Sequence, residues 1–211
     1  MKSTHLRSTS VLSATVLSIG LLLTACGGGD EGSGAIEAPA AVTPAPVVDG
    51  SGSGAVGGAG LIALDAATSC DLPDFRSSLL QQINAARTSA RSCGGTALPA
   101  VSPLAWNDRL FSAAARHSRD MAQNNYFSHT GLDGRSSSQR ISAEGYAWSW
   151  SGENIAAGQT SVASVMNGWL ASEGHCRNIM RAEYRDVAVS CVQRTGSTYG
   201  RYWTMVLARP R

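Results

Sequence analysis

The sequence predicts an α+β domain in which helices pack on a small antiparallel sheet. Apolar residues recur at helical spacing through much of residues 70–211, and they alternate with small or polar residues near the C-terminus. Every Trp, Tyr and Phe of the 211-residue chain lies in this part, which is long enough for one hydrophobic core. We therefore expect one domain over residues 70–211, without internal repeats.

The first helix is predicted to follow Asp71–Asp74, because an acidic residue can cap a helix whose first turn tolerates Pro73. It extends to about Ala90, since apolar residues follow at helical spacing, namely Phe75, Leu79, Leu80 and Ile83. Residues 91–102 contain a Gly-Gly pair and Pro99, which predicts a loop.

A second helix is predicted over residues 107–124, with one side formed by Leu110, Phe111, Ala114, His117 and Met121. Residues 126–146 are rich in Gly and Ser, which predicts an irregular segment with a short helix near residues 136–143. Residues 152–157 are compatible with a short strand or a turn. Ser161 can cap a third helix, whose apolar side carries Val162, Val165, Met166 and Trp169.

The apolar period changes from helical to alternating after this helix. Alternation is seen first at Val187, Val189 and Cys191, and again at Trp203, Met205 and Leu207. A turn sequence, Thr195-Gly196-Ser197, lies between the two runs. These features predict an antiparallel hairpin at the end of the chain.

Residues 1–25 have the features of an export signal. A positive start with Lys2 and Arg7 precedes the apolar run Val11–Leu23, which as a helix would span about 20 Å and not the ~30 Å of a membrane core. The run ends in Leu23-Thr24-Ala25-Cys26, which resembles the bacterial lipobox. We expect Cys26 to be diacylated and to become the anchored N-terminus.

Residues 26–69 are dominated by Gly, Ala, Ser and Pro, a composition typical of a flexible tether. The chain is therefore predicted to be a lipoprotein held to the membrane outside the cytoplasm. Residue 27 is Gly and not Asp, which favours the outer membrane in a bacterium that has two membranes.

The domain carries a surplus of positive charge, with fifteen Arg and ten acidic residues over residues 71–211. The Arg residues are scattered among acids, without a basic run or interleaved aromatic residues. This pattern is typical of a mixed solvated surface, so nucleic acid is not an expected partner.

Four cysteines remain beside Cys26, an even number that suits an oxidising compartment. Three pairings are possible, and we predict Cys70–Cys93 and Cys176–Cys191 because partners close in sequence flank compact segments. Binding of a metal by the four cysteines is the alternative, but no C-x-x-C pair supports it.

Five blocks of the domain resemble a known family. They occur in the order Pro103–Asn107, Ala115–Ala122, Phe127–His129, Gly152–Ala156 and Trp169–Met180. Together they resemble the bacterial branch of the CAP superfamily, which contains cysteine-rich secretory proteins, antigen 5 and pathogenesis-related 1. The resemblance covers about residues 79–207 and implies an α-β-α sandwich with a surface cleft.

The resemblance also implies a cleft lined by two His and two Glu, which in some family members hold a divalent ion. His129, Glu153 and His175 match three of these positions. The fourth position, three residues after the helix Trp, is Ser172 here, and Glu173 follows it. Because one residue along a helix turns a side chain by about 100°, we do not expect Glu173 to replace the missing carboxylate.

Two imidazoles and one carboxylate would offer three ligands and an open fourth position, the composition of a catalytic zinc site. His129, Glu153 and His175 are therefore candidate metal ligands and candidate catalytic residues. Glu153 bridging the histidines by hydrogen bonds, without chemistry, is an equal alternative. A Ser–His hydrolase is disfavoured because no G-x-S-x-G elbow is present.

The remaining candidate residues are aromatic or lie on an apolar helix face. Trp148 and Trp150 lie just before the candidate site and are expected to form either an apolar lip of the cleft or a buried anchor. Trp106, Trp169 and Trp203 are predicted core residues, and His117 on its apolar face is predicted to be structural.

Three functions follow as hypotheses. The first is a binding module for an apolar or lipid ligand, a divalent ion or an envelope protein. The second is a metal-assisted hydrolase acting on peptide or cell-wall material, and the third is a structural or adhesion protein with a vestigial cleft. A fold likeness alone does not choose among them, because function depends on the details of the site.

Overall fold

The computed structural model describes residues 60–211, so the predicted export signal, the predicted lipidation site Cys26 and most of the predicted tether lie outside the described residues. In chain order the elements are α1 (Phe75–Arg87), β1 (Arg91–Cys93), β2 (Thr96–Leu98), β3 (Ala105–Trp106), α2 (Asp108–Asn124), α3 (Ser137–Ala143), β4 (Trp148–Ala157), α4 (Val162–Ala171), α5 (Glu173–Ile179), β5 (Asp186–Gln193) and β6 (Arg201–Pro210).

The main sheet has four strands in the order β3-β5-β6-β4. β6 pairs antiparallel with both β5 and β4, as the predicted C-terminal hairpin requires. β3 pairs in parallel with β5 through Ala105 and Trp106. The sheet is therefore mixed, which corrects the prediction of a purely antiparallel sheet. Two residues are too short a run for an alternating pattern to reveal a strand in the sequence.

Helices cover both faces of this sheet. Val187, Val189 and Cys191 of β5 pack in one core with apolar residues of α1, α4 and α5. Ala188 faces the other way and packs with residues of α2 and α3. Successive side chains of a strand point to opposite faces, so a strand buried on both sides separates two helical layers. The α-β-α sandwich is thus confirmed.

Three of the helices begin at residues whose side chains satisfy free backbone N–H groups. The side chain of Asn107 accepts hydrogen bonds from two N–H groups of α2, and Ser136 and Ser161 form capping boxes at α3 and α4. Asp74 differs from the prediction. It precedes α1 with a φ of 49°, and its side chain makes no capping hydrogen bond.

Two segments are more regular than predicted. The predicted loop after α1 contains the β1–β2 hairpin, whose turn uses Gly94 and Gly95 at positive φ. The segment predicted as a short strand or a turn belongs to the ten-residue β4, which pairs with β6 along its length.

The disulfides join Cys70 to Cys191 and Cys93 to Cys176, with Cα–Cα distances of 5.2 and 5.5 Å. This corrects the predicted pairs Cys70–Cys93 and Cys176–Cys191. Cys191 lies in the interior strand β5, where its backbone bridges Ser69, and Cys176 of α5 packs against the β1–β2 hairpin. Partners that are distant in sequence meet because the sheet and α5 bring them together.

The packed part of the chain begins before Cys70, the boundary predicted from the sequence. Thr68 and Ser69 are buried, and the hydroxyl of Ser190 donates to the Thr68 carbonyl oxygen at 2.9 Å. Ile62 also donates its backbone N–H to the Ser112 hydroxyl. Over residues 60–211 no helix combines the length and apolar character needed to span a membrane.

Candidate functional site

His129 and Glu153 form a hydrogen-bonded pair at the edge of the sheet. His129 lies in the loop between α2 and α3, and its Nδ1 is 2.8 Å from Oε1 of Glu153 on β4. The Glu153 side chain is 3% exposed, whereas the imidazole is 58% exposed. The carboxylate accepts from Nδ1–H, so it holds the ring with Nε2 available to solvent or a ligand.

Arg140 holds the other oxygen of the same carboxylate. Its Nη2 lies 2.7 Å from Oε2 of Glu153 and also donates to the His129 carbonyl oxygen at 3.0 Å. Its Nη1 donates to the Arg135 carbonyl oxygen at 2.7 Å. One side chain of α3 therefore orients both the carboxylate and the loop that carries His129.

These contacts keep Glu153 ionised although it is buried. Burial is the largest single influence and by itself raises the pKa of Glu153, because it disfavours the charged form. The hydrogen bonds from His129 and Arg140 and the charge of Arg140 act in the opposite direction and prevail. The pKa of Glu153 consequently lies below its usual value.

His175 is positioned by a chain of hydrogen bonds through buried amides. Tyr184 donates its hydroxyl to Asn178 Oδ1, and Asn178 Nδ2 donates to Asn154 Oδ1 at 2.9 Å. Asn154, fully buried next to Glu153, then donates Nδ2 to the His175 carbonyl oxygen at 3.1 Å. This chain fixes the first turn of α5 against β4, and it places His175 beside the His129–Glu153 pair.

The surroundings of His175 favour its neutral form. Burial lowers the pKa of His175, and the nearby charge of His129 lowers it further. An effect of His129 on the pKa of His175 is expected, because both imidazoles line the same two surface cavities.

The first of these cavities, which we call the polar cleft, has a volume of about 770 Å³. His129, Glu153, Asn154 and His175 line it, together with two Arg side chains, Arg177 and Arg181. The second, which we call the apolar groove, has a volume of about 650 Å³. Its walls include Phe127, Ile155, Ala157, Trp169 and Tyr199. His129 and His175 line both cavities, so the imidazoles lie where the groove meets the cleft.

The other predicted cleft residues are Ser172, Glu173, Trp148 and Trp150. Of these four, Ser172 alone lines one of the two cavities, the apolar groove. Ser172 occupies the N-cap position of α5 without a side-chain capping hydrogen bond, and Glu173 is the first residue of that helix. The Glu173 side chain turns away, pairs with Arg177 at 2.8 Å and packs over Gly94. Its assignment to the cleft is therefore corrected.

Trp148 and Trp150 also lie outside both cavities, so the apolar lip, one of the two alternatives for these residues, is wrong. Trp148 packs on the core beneath α2 and α3 and donates its indole N–H to the Ser142 hydroxyl. Trp150 is exposed and stacks under the Arg181 guanidinium, 4.8 Å from the ring centre. β4 begins at Trp148, so both indoles lie at the start of the strand and Glu153 follows them in the same strand.

The three predicted metal ligands are arranged differently from a zinc site. Both oxygens of Glu153 already have partners, so a metal would have to displace His129 or Arg140. Within residues 60–211 no three His, Cys, Asp or Glu side chains come together closely enough to hold a metal ion. As arranged here, His129, Glu153 and His175 do not form a three-ligand zinc site. Zinc binding therefore remains a prediction.

His117, predicted to be structural, is 1% exposed and lies on α2 behind the site. Its Nε2 lies 2.9 Å from the Ser128 carbonyl oxygen, next to His129 in the chain. A carbonyl oxygen only accepts, so Nε2 carries the proton and Nδ1 is an acceptor.

Sequence reasoning did not single out Arg140 or Asn178 as positioning residues. Asn154 was part of a matched block, but its role depends on contacts that no local pattern shows.

Two bacterial proteins are similar in sequence. The chain is 32% identical over 104 residues to the Bacillus subtilis protein YkwD, covering 49% of this chain and 38% of that protein. It is 33% identical over 89 residues to the Bacillus subtilis membrane protein YlbC, covering 42% of this chain and 26% of that protein. The chain thus spans well under half the length of these curated relatives.

Solved structures share the fold. An extracellular protein of Bacillus anthracis that contains an SCP domain is 27% identical, with a TM-score of 0.51 over 67% of this chain and 44% of its own. An outer surface protein of Borrelia burgdorferi is 18% identical, with a TM-score of 0.55 over 65% of this chain and 96% of its own. The likeness to the Borrelia burgdorferi protein concerns the fold alone.

The family match covers the sandwich and all of the site. Residues 80–207 match the CAP family, described as the cysteine-rich secretory protein family, and this range contains His129, Arg140, Glu153 and His175. Since the match spans more than half of the chain, the protein belongs to the CAP, or cysteine-rich secretory protein, family.

Proposed function

We propose that this protein is an exported, membrane-anchored binding module for a single-chain anionic amphiphile. The acyl chain lies in the apolar groove, and the charged head group lies at its end against His129 and His175. The observation that carries this proposal is that one pair of imidazoles lines both the apolar groove and the polar cleft.

The size and lining of the groove support an apolar occupant. Its volume of about 650 Å³ falls in the range of roughly 300–1,000 Å³ that small-ligand sites occupy. Phe127 and Tyr199 are 43% and 47% exposed, with ring centres 5.8 Å apart. Exposed aromatic rings beside a groove leave apolar surface uncovered in the free protein. Such uncovered apolar surface is typical of ligand sites.

The charges around the imidazoles support an anionic head group. Arg177 and Arg181 line the polar cleft next to His175, and residues 71–211 carry more Arg than acidic residues. The carboxylate of Glu153 is buried against Arg140 and His129, so it is already neutralised by its neighbours. An incoming anion therefore meets the guanidinium groups of Arg177 and Arg181 and the one ring N–H that a neutral His175 retains.

The two disulfides and the extracellular or surface names of the structural relatives support a location outside the cytoplasm. Anchoring through Cys26 is the finer part of the proposal. Metabolic labelling with a palmitate analogue tests it, with Cys26→Ser as the control. We expect the label in the membrane fraction of the natural chain and none in the variant; equal labelling of both would exclude the anchor.

Ligand binding is tested by titrating the protein with the fluorescent fatty acid cis-parinaric acid. Gly168 of α4 lines the groove, and a Cβ there would meet only the Gln159 amide at 3.9 Å. The backbone at Gly168 therefore accepts a side chain, so Gly168→Met places bulk at the groove wall and improves the helix propensity of α4. We expect saturable binding by the natural chain and at least tenfold weaker binding by Gly168→Met.

A matched control uses the neighbouring exposed residue of the same helix. Asn167→Met adds the same side chain about 100° around α4, so we expect binding within twofold of the natural chain. Gly174→Met places the same bulk in the polar cleft. Loss of binding in Gly174→Met with full binding in Gly168→Met would put the ligand in the cleft and contradict the proposal.

The hydrolase hypothesis has one favourable observation, the His129 ring held by a buried carboxylate as in enzymes that use imidazole as a general base. Glu153→Gln discriminates between the two functions. A binding module still binds the acyl chain in the apolar groove of this variant, with a weaker hold on the head group, whereas turnover of a peptide or cell-wall substrate would be lost. Zinc titration by calorimetry tests the metal-assisted version, with His129→Ala and His175→Ala as controls.

A further inference from the structure

One end of the sandwich is built from three segments that hydrogen bonds hold together. We call it the tip surface, and its segments are residues 125–128 after α2, residues 158–161 between β4 and α4, and residues 194–201 at the turn from β5 into β6. Asn125 Oδ1 accepts from the Thr198 backbone N–H at 2.7 Å, which joins the first segment to the third. Nη1 of Arg201 donates to the Thr160 carbonyl oxygen at 2.6 Å, which joins the third segment to the second. The three segments therefore form one continuous surface.

The tip surface carries positive charge and no acidic residue. Arg194 and Arg201 are the only charged residues of its three segments. Neither forms an ion pair within residues 60–211, and the guanidinium of Arg201 donates to the uncharged oxygens of Gln193 and Thr160. Arg194 is exposed at the turn. Two positive charges without counter-ions at one end of the domain attract an anionic partner.

Two aromatic rings project from the same surface. Phe127 and Tyr199 are each nearly half exposed, their ring centres lie 5.8 Å apart, and both side chains line the apolar groove. Most of the remaining residues of the three segments are Gly, Ser, Thr, Asn or Gln. Aromatic rings and positive side chains are enriched at the level of lipid head groups, where the positive charges contact phosphates. The composition of the tip surface is therefore that of a membrane-facing surface.

We propose that the tip surface docks on an anionic phospholipid bilayer. Phe127 and Tyr199 enter the head-group region, and Arg194 and Arg201 contact the lipid phosphates. A protein partner fits less well, because two rings among small polar residues do not provide the apolar centre of a stable protein interface. The inference goes beyond the proposed ligand, since docking does not require a filled groove.

Co-sedimentation with lipid vesicles tests this proposal. The protein used is residues 27–211, which keeps both disulfides and the whole packed chain but lacks the predicted signal and the proposed anchor. We expect binding to vesicles of phosphatidylcholine mixed with phosphatidylglycerol, which weakens as salt is added, and at least tenfold weaker binding to phosphatidylcholine alone. Equal binding to both kinds of vesicle would overturn the proposal. Absence of binding to either would also overturn it and leave the surface to a protein partner.

Variants of the tip surface test which side chains make the contact. Arg194→Gln removes one of the two charges and should weaken binding to the anionic vesicles about fivefold. Phe127→Ser/Tyr199→Ser removes both rings and should weaken it at least tenfold. All three side chains are exposed, so their replacement leaves the core intact. Unchanged binding in either variant would contradict the assignment.

Matched controls lie at the opposite end of the same sheet. Trp150 pairs with Arg209 across β4 and β6, and both residues are exposed. Arg209 lies roughly 25 Å along β6 from Arg201, at about 3.3 Å per residue. Arg209→Gln and Trp150→Ser should therefore keep vesicle binding within twofold. Losses as large as those of the tip variants would show that the bilayer attracts the domain without a preferred surface, contrary to the proposal.

Docking and amphiphile binding are separated by two variants. Arg194 does not line the groove, so Arg194→Gln should bind cis-parinaric acid in solution within twofold of the natural chain while its vesicle binding falls. Gly168→Met should show the reverse, so a failure of the proposed ligand would leave the vesicle result intact. Loss of vesicle binding in Gly168→Met would show that the groove itself holds the lipid and would contradict docking through the tip surface.

Discussion

Nη2 of Arg140 lies 2.7 Å from Oε2 of Glu153, the carboxylate whose other oxygen holds His129. The arginine side chain is 10% exposed and the carboxylate 3%, so the pair is shielded from water. Two groups buried in this way depend on each other, because removing one leaves the other charged without a partner. The orientation of His129 consequently depends on a residue of α3 that lines neither the polar cleft nor the apolar groove.

Arg140→Met should raise the pKa of Glu153 and loosen His129. Loss of the guanidinium removes one influence that lowers the pKa and leaves the burial that raises it. Breaking a buried ion pair typically destabilises a protein by about 3–5 kcal/mol. The pKa is read from the ¹³Cδ shift of Glu153 against pH, and stability from urea unfolding.

Arg135→Met provides the control, because Arg135 is more than half exposed and its ion pair with Asp133 lies at the surface. It should change stability by less than about 1 kcal/mol and leave the Glu153 titration in place. A Glu153 titration midpoint that is the same in Arg140→Met as in the natural chain would show that the guanidinium does not keep the carboxylate ionised.

Acidification should destabilise the protein in two steps. The pKa values of His117 and His175 are lowered from about 6.5 on folding, so below pH 6.5 the unfolded chain binds protons that the folded chain does not. Glu153 adds a second step below its ordinary value of 4.5, since its pKa is also lowered on folding. Stability is then greatest above pH 6.5, and thermal unfolding between pH 3.5 and 8 measures both steps.

His117→Gln assigns the first step. Glutamine can keep an N–H donor towards the Ser128 carbonyl oxygen but does not titrate. The free energy of unfolding of the natural chain should fall by up to about 1.4 kcal/mol per pH unit through His117 below pH 6.5. The fall should be shallower in His117→Gln, and a fall as steep as that of the natural chain would contradict this origin.

Peptide mapping under non-reducing conditions should give the pairs Cys70–Cys191 and Cys93–Cys176. Each closes a long loop, with separations of 121 and 83 residues, so each contributes on the order of 4 kcal/mol by loop entropy. Cys93→Ala/Cys176→Ala should therefore lower Tm while leaving the other bond intact. Recovery of a Cys70–Cys93 peptide from the oxidised natural protein would refute the pairing.

Gly152→Ala should disrupt the positioning of His175. A Cβ at Gly152 would collide with the Tyr184 hydroxyl and with Asn178 Oδ1, both members of the hydrogen-bond chain to His175. We expect a loss of about 1–3 kcal/mol in stability and a shifted His175 resonance. Gly168→Ala is the control, because a Cβ there meets only the Gln159 amide at 3.9 Å; equal behaviour of the two variants would show that contacts at Gly152 are not tight.

Local chemistry predicted most of the elements. The cap at Ser161, the helical spacing in α1 and α2 and the alternation in β5 and β6 are signals that act over a few residues, and each is found in the predicted element. Features set by long-range packing were missed. The two-residue β3 exists because it pairs with β5, and the disulfides join segments that only the assembled sandwich brings together.

The candidate site followed from the resemblance and not from spacing. His129, Glu153 and His175 are separated by 24 and 22 residues, so no helix or strand period relates them. The expectation that Glu173 cannot replace the missing carboxylate assumed one continuous helix, whereas Ser172 ends α4 and begins α5. Arg140 gave no signal, because an arginine in a short helix is ordinarily exposed, and its burial depends on Glu153.

The placement of the head group is tested most sharply by the ¹⁵N imidazole spectrum of His129 and His175 during titration with myristate and with its methyl ester. We predict that both probes bind, but that only myristate shifts the two imidazole resonances, because its carboxylate reaches the junction of groove and cleft. Identical spectra with both bound probes, or shifts confined to other residues, would show that His129 and His175 do not receive the head group.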